Sequence, residues 1–231
     1  MARPGVRLSV EDPYSYHDLN VNGTLSILKA SLAQKIKKIV YASSSSVYGI
    51  AKHLPADEDH STQPISPYGA SKLAAEAFCN AFMETFKIPV VSLRYFTVYG
   101  PRQRPDMAIH KFTKLIIKGE EIIIYGDGKQ TRDFTFISDI IDGTIKDMES
   151  DATGVFNLGR GKNITLNELI GVIENVVGKE ANKKYIEKQK GDVLDTWANI
   201  MRAKKTFDYN PKVNIKEGTK LFYNWFEKCY Q

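Results

Sequence analysis

The chain has 231 residues, 42% hydrophobic, 26% charged and 11% aromatic, a balance near the globular average that excludes a disordered tail or a short peptide module. At about 150 residues per domain this length allows one large core or two unequal lobes. The +5 net charge from 32 basic and 27 acidic side chains suits an anionic ligand as readily as nucleic acid. Cys79 and Cys229 lie outside any metal-ligating spacing, so neither a zinc site nor a disulfide framework is expected and a reducing cytoplasm fits. No stretch approaches the ~18 apolar residues of a membrane span, so no membrane partner is expected.

In chain order, residues 15–34 read as a helix, with Leu25, Leu28 and Leu32 at helical spacing. Ile39-Val40-Tyr41-Ala42 runs apolar into four serines, as a buried parallel strand does when it ends in a functional loop. A polar loop reaches Pro64; in it His53 and His60 flank Asp57-Glu58-Asp59, which reads as a mobile, solvated cluster and not a metal site. Ser66 reads as an N-cap with Pro67 in the first helical position, opening a helix to Phe86. Residues 88–96 form the next strand. Strand, helix and strand make a βαβ unit, so the first half predicts an α/β, doubly wound parallel sheet whose ligands bind beyond the carboxyl ends of the strands. Those ends carry residues 43–49 and 97–105, which are expected to face one crevice.

The second half is mixed. A helix is predicted over 108–118, strands at Ile122-Ile123-Ile124-Tyr125 and Val155-Phe156-Asn157-Leu158, and a capping box of Thr165 with Glu168 before the next helix. A helix over 216–230 closes the chain. The five lysines between 179 and 190 read as a solvated face, and Phe222, Tyr223, Trp225 and Phe226 as packing for the last helix rather than a base-stacking surface.

Tyr68 and Lys72 stand four positions apart and so share a helix face. A tyrosine, with a reference pKa near 10, is a poor base at neutral pH, but a neighbouring ammonium favours the phenolate. A Tyr-x-x-x-Lys spacing alone is a weak signal. The serines at the end of the preceding strand strengthen it, because a hydroxyl there can bond the same substrate oxygen that Tyr68 deprotonates.

Together with Asn20-Val21-Asn22-Gly23-Thr24, Val47-Tyr48-Gly49, Arg94-Tyr95-Phe96-Thr97-Val98-Tyr99-Gly100-Pro101, Arg132-Asp133-Phe134 and Gly191-Asp192-Val193, these segments form an ordered set across nearly the whole chain. The set resembles the extended short-chain dehydrogenase/reductases, and within them the NAD-dependent nucleotide-sugar epimerases and dehydratases. Dehydratases of that family carry an Asp-Glu pair after the catalytic hydroxyl, where this chain has Ser45 and Ser46, so the resemblance favours epimerisation. Thr97 and the run Arg104-Pro105-Asp106-Met107-Ala108 look most like the UDP-glucuronate 4-epimerases, with UDP-glucose 4-epimerases next.

That resemblance implies roles. Tyr68 would deprotonate the sugar 4-hydroxyl, Lys72 would hold the nicotinamide ribose of NAD, and Ser44 would bond the 4-oxygen. Asn20, Ser43, Tyr95 and Phe96, with Tyr68 and Lys72, match cofactor-binding positions. Ser44, Ser45, Thr97, Asp106 and Met107 match positions near the sugar and pyrophosphate, and Ile123 and Tyr125 the strand beside the uracil. Arg132 matches the arginine on the pyrophosphate, a task suited to a guanidinium fork, and Asp192 a residue on the nucleotide ribose. Arg104 is the candidate for the sugar carboxylate.

None of the 16 glycines makes the glycine-rich turn with which that family begins. The expected architecture is therefore an N-terminally truncated Rossmann-like sheet over residues 1–99 and a smaller mixed α/β substrate lobe over 100–231, with residues 130–160 returning to the sheet. Weak NAD binding by this chain alone, or none, is expected, together with an uncovered sheet edge that invites a homodimer or another strand. The alternative function is a UDP-sugar-binding or interaction fragment without turnover. Nucleic acid is not expected as a partner, since there is no recognition motif and no continuous basic stripe.

Overall fold

The computed structural model describes residues 2–34, 36–187 and 193–230. Three helical pieces precede the first strand: α1 (Val6–Glu11), α2 (Pro13–Tyr16) and α3 (Gly23–Leu32), the last two joined by a π-helical turn over His17–Asn22. The single helix expected over 15–34 is thus corrected to two helices with a widened turn, which holds the buried Asn20. Of Leu25, Leu28 and Leu32 only Leu28 is buried, and Leu32 is exposed together with Ile27.

β1 (Ile39–Ser44) leads into a short 3-10 turn, Ser45–Val47, and a long loop. α4 (Pro67–Phe86) then begins where the sequence places it: the Ser66 side chain accepts from the Gly69 amide at 3.1 Å, and Pro67 fills the first turn, where a missing N–H costs nothing. Gly69 is required here by space. A Cβ would lie 2.5 Å from the Ser46 carbonyl oxygen, so the start of α4 rests directly against the serine turn.

β2 (Val90–Tyr95), β3 (Thr97–Tyr99), α5 (Ala108–Lys118), β4 (Glu121–Tyr125), β5 (Thr131–Arg132) and β6 (Phe134–Phe136) follow. Next come α6 (Ile137–Glu149), β7 (Gly154–Leu158), β8 (Ile164–Thr165), α7 (Leu166–Val177), β9 (Asn182–Ile186), α8 (Met201–Phe207) and α9 (Ile215–Tyr230). β1, β2 and β7 form a parallel sheet in that order, with Ser43 opposite Arg94 and Ser44 opposite Tyr95. β3 pairs with β6 and β4 with β9, both parallel, while β5 and β8 are antiparallel. β9 lies inside the lysine-rich run. Its side chains are exposed, as a solvated face requires, yet its backbone pairs with β4, and Lys183–Glu174 (2.9 Å) and Lys184–Glu121 (3.2 Å) fasten it from outside.

The largest core packs α5, β4, α7 and α9 through Ile109, Phe112, Ile122, Ile170 and Phe222. Phe222 and Phe226 are core residues, so the aromatics of the last helix serve packing. A second core lies around Val91, Leu93, Phe156, Leu158 and Tyr209. Among the described residues no strand pairs with the far side of β1. Ile27 and Leu32 on α3 and Ile141, Ile145 and Met148 on α6 are also exposed.

Replacing Ser66 by alanine leaves the α4 amides next to Tyr68 uncapped. The expected loss is about 1 kcal/mol of unfolding free energy, measured by urea denaturation.

Candidate active site

The regular rise of α4 places Tyr68, Lys72 and Glu76 one above another on a single face. Tyr68 is half-buried, its amide donates to Ser9 Oγ at 3.0 Å, and its ring meets that of Tyr16 edge-on at 6.2 Å. Burial holds the phenol above its ordinary range, while a hydrogen bond with Ser44 and the positive charge of Arg104 pull it down. Lys72 is buried; its Nζ donates to the Ala42 carbonyl at 2.8 Å and lies 6.0 Å from the centre of the Tyr68 ring. Loss of hydration lowers its pKa to about 8, with Glu76 acting in the opposite sense. Ser44 ends β1, accepts from the Ser46 amide at 3.2 Å and caps the short turn. The tyrosine, lysine and serine are therefore brought together, at the carboxyl end of β1.

The remaining candidates divide. Ser43 turns inward, its hydroxyl bonded to Glu76 Oε1. Asn20 is committed to the Arg3 backbone and to Ser71 Oγ (3.0 Å), so it holds the N-terminal segment against α4. The Tyr95 hydroxyl meets Thr144 Oγ1 at 3.0 Å, and Phe96 is buried beside Tyr48. Ser45 is half-buried on the serine turn. The Thr97 amide donates to the Asp133 carbonyl at the start of β3. Arg104 donates to Asp106 Oδ2 at 3.0 Å and to Met107 Sδ at 3.5 Å on the loop before α5. Ile122 and Ile124 enter the core while Ile123 and Tyr125 occupy the other face of β4, where Arg7 lies over the Tyr125 ring at 5.2 Å. The Arg132 fork donates to the carbonyls of Thr131, Leu194 and Val193 at 2.6–2.8 Å. Asp192 lies outside the described residues.

The loop read as mobile is corrected. Glu58 and His60 are buried: Glu58 Oε1 accepts from the Asn157 amide at 2.8 Å. His60 Nε2 accepts from the Lys52 amide and Nδ1 meets the Ser61 carbonyl, both at 2.8 Å. Among the described residues no group of His, Cys, Asp and Glu is placed to hold a metal.

Three residues, Arg94, Glu76 and Asp133, have structural roles that the sequence reading did not assign. Arg94 Nε and Nη2 grip Glu76 Oε1 and Oε2 at 3.0 and 2.8 Å, and the pair is almost wholly buried. Glu76 could have been found by continuing the Tyr68–Lys72 ladder one more turn. Asp133, wholly buried, accepts from the amides of Arg160 (2.6 Å), Gly161 (3.0 Å) and Ala198 (3.1 Å). Burial pushes its carboxyl up to about 6 despite those donors.

A parallel sheet ending in a serine, beside a helix that aligns a tyrosine with a buried lysine, defines an enzyme of the Rossmann-like epimerase/dehydratase class. Residues 2–222 match the family described as GDP-mannose 4,6 dehydratase, and the chain belongs to that family. It is 43% identical over 226 residues to a UDP-glucuronate 4-epimerase of Thermodesulfobacterium geofontis, covering 97% of this chain and 70% of the relative. Among solved structures it is similar to the UDP-glucuronic acid 4-epimerase of Bacillus cereus in complex with UDP-glucuronic acid and NAD. That likeness has a TM-score of 0.95 at 39% identity, over 99% of this chain and 74% of the other. The Thermotoga maritima UDP-glucose 4-epimerase with UDP-glucose gives a TM-score of 0.96 at 32% identity, over 100% and 76% of the two chains.

Lys72 supplies a pH test. Its folded pKa is lowered from 10.5 to about 8, so at pH 7 the buried ammonium opposes folding, and stability rises with pH between those two values. The parent's unfolding free energy should therefore rise as pH climbs from 8 toward 10.5, and Lys72→Met should lack that rise, read from urea unfolding at each pH.

Proposed function

We propose that the chain carries the acid/base and sugar-nucleotide site of an NAD-dependent UDP-sugar 4-epimerase with UDP-glucuronate as its substrate. The observation that carries this reading is the alignment of Tyr68 with Lys72 on one helix face, with Ser44 at the end of β1 and Arg104 near enough to favour the ionised phenol.

The residues present fit the nicotinamide end of the cofactor. Lys72 spends one of its three donors on Ala42, which leaves two for a ribose diol, and Tyr95 and Phe96 stand at the carboxyl end of β2. When bound, NAD supplies the hydride acceptor and donor for reversible oxidation at C4. Tyr68, entering as the phenolate, takes the proton of the 4-hydroxyl as that carbon is oxidised, and the resulting phenol returns it when the carbon is reduced again. Ser44 holds the 4-oxygen by hydrogen bond, and the positive charge of Lys72 favours the phenolate that begins the cycle. Ser45 and Ser46 offer hydroxyls where elimination of water needs a carboxylate pair, so inversion is the chemistry the site supports. Similarity to a UDP-glucuronic acid 4-epimerase solved with its sugar nucleotide supports the choice of substrate.

Arg132 serves the pyrophosphate, Arg104 the sugar carboxylate, and Thr97, Asp106 and Met107 border the sugar. Arg104 now shares its guanidinium with Asp106, a contact half-open to solvent that a second carboxylate can join or replace. The functional test is calorimetric titration with UDP-glucuronate and UDP-glucose, followed by analysis of 4-epimer formation in the presence of NAD. Arg104→Leu is expected to weaken UDP-glucuronate about tenfold or more and UDP-glucose by much less. Equal losses would remove Arg104 from the carboxylate.

The reading extends to assembly. The unpaired side of β1 and the exposed apolar residues of α3 and α6 are surfaces that an association with a second copy would cover. Light scattering is expected to give about twice the 26.1 kDa chain mass; a monomer at micromolar concentration would exclude this assembly.

A further inference from the structure

Beneath the tyrosine, lysine and serine runs a buried polar chain that the proposed reaction does not use. Glu76 lies on α4 one turn beyond Lys72, and its Oε1 accepts from both Ser43 Oγ and Arg94 Nε while Oε2 accepts from Arg94 Nη2. Ser43 immediately precedes Ser44, and Arg94 stands opposite Ser43 in the sheet. One carboxylate therefore joins the helix that carries Tyr68 and Lys72 to the strand end that carries Ser44. From Arg94 the chain continues: its guanidinium lies over the Tyr48 ring at 4.8 Å, and its Nη1 donates to the Glu58 carbonyl at 3.3 Å. Tyr48 donates to Asn157 Oδ1 at 2.7 Å, and Asn157 Nδ2 donates to the carbonyls of Ala56 and Asn199.

An ion pair so deeply buried is weak evidence of a stabilising role, because desolvation offsets much of its attraction and apolar residues of similar volume often serve folding as well. What such a pair does supply is geometry. A two-pronged guanidinium–carboxylate contact has one good arrangement, and here that arrangement fixes the advance of α4 past β1 and β2. Ser44, which acts on the Tyr68 phenol, and Lys72, whose Nζ lies 6.0 Å from the Tyr68 ring centre, are both carried by the elements so joined.

We propose that Glu76 and Arg94 are positioning residues for the acid/base group, setting Tyr68 and Lys72 against Ser44. The proposal deepens the epimerase reading and rests on it for its kinetic consequences.

The test removes both charges together, so that neither is stranded: Glu76→Gln with Arg94→Met in the full chain. The first readout is the titration of Tyr68 in 3-fluorotyrosine-labelled protein by fluorine NMR, its signal assigned by its loss in Tyr68→Phe. The double variant is expected to melt within a few degrees of the parent, while its Tyr68 midpoint rises by about half a unit or more as Ser44 moves away from the phenol. The second readout is kinetic: with NAD and UDP-glucuronate, kcat should fall about tenfold or more while KM changes little, as expected for misplaced reacting groups. A folded double variant with the parent's midpoint and kcat overturns the proposal.

If the double variant fails to fold, Arg94→Lys keeps the buried charge but loses the fork, and it should move the midpoint and kcat in the same directions; parental values there also overturn the proposal. If the unsubstituted chain binds no UDP-glucuronate, the functional reading falls, and the Tyr68 titration alone decides the positioning role.

Discussion

The buried face of α4 carries a lysine and a glutamate in consecutive turns, and ionisable groups out of water are costly unless each finds a partner. That requirement dictates much around the site. Lys72 takes a backbone carbonyl of β1, and Glu76 takes a serine and an arginine from the ends of β1 and β2. Each partner crosses from the helix to the sheet, so satisfying the charges also fixes the helix on the sheet. The close approach at Gly69, whose missing Cβ admits the Ser46 carbonyl, brings the same helix against the serine turn from its other end. Tyr68 stands beside Gly69 and one turn before Lys72, and inherits its position from both.

What was legible in the sequence is what local chemistry decides. Ser66-Pro67 marks the start of α4, and the Thr165–Glu168 capping box forms as its spacing requires. Tyr68 and Lys72 share a face because helical periodicity is a property of the helix alone. The contacts that escaped are those set by sheet register. Arg94 finds Glu76 only once β2 lies beside β1 with Ser43 opposite Arg94, a pairing no local pattern states. β9 escaped for a related reason: Asn182–Ile186 is exposed throughout, so it lacks the alternation by which half-buried strands are recognised. His60 and Glu58 were misread because a polar loop was equated with a solvated one, whereas backbone amides from Lys52 and Asn157 are what draw them inside.

Arg132 and Asp133 show how one short segment can serve both fold and site. Successive residues of an extended chain point to opposite sides. Asp133 goes inward and gathers the amides of Arg160, Gly161 and Ala198, while Arg132 goes the other way and donates to the carbonyls of Val193 and Leu194. The residues proposed to handle the pyrophosphate are thus supported from behind by a carboxylate whose burial is itself unfavourable to its charge. The amides favour the ionised carboxyl against its burial and hold it in one orientation, which the backbone carrying Arg132 follows. At both places the arrangement is the same. The group facing the proposed substrate is set by a buried acid one residue or one turn away, and the acid is held by hydrogen bonds that only the folded register supplies.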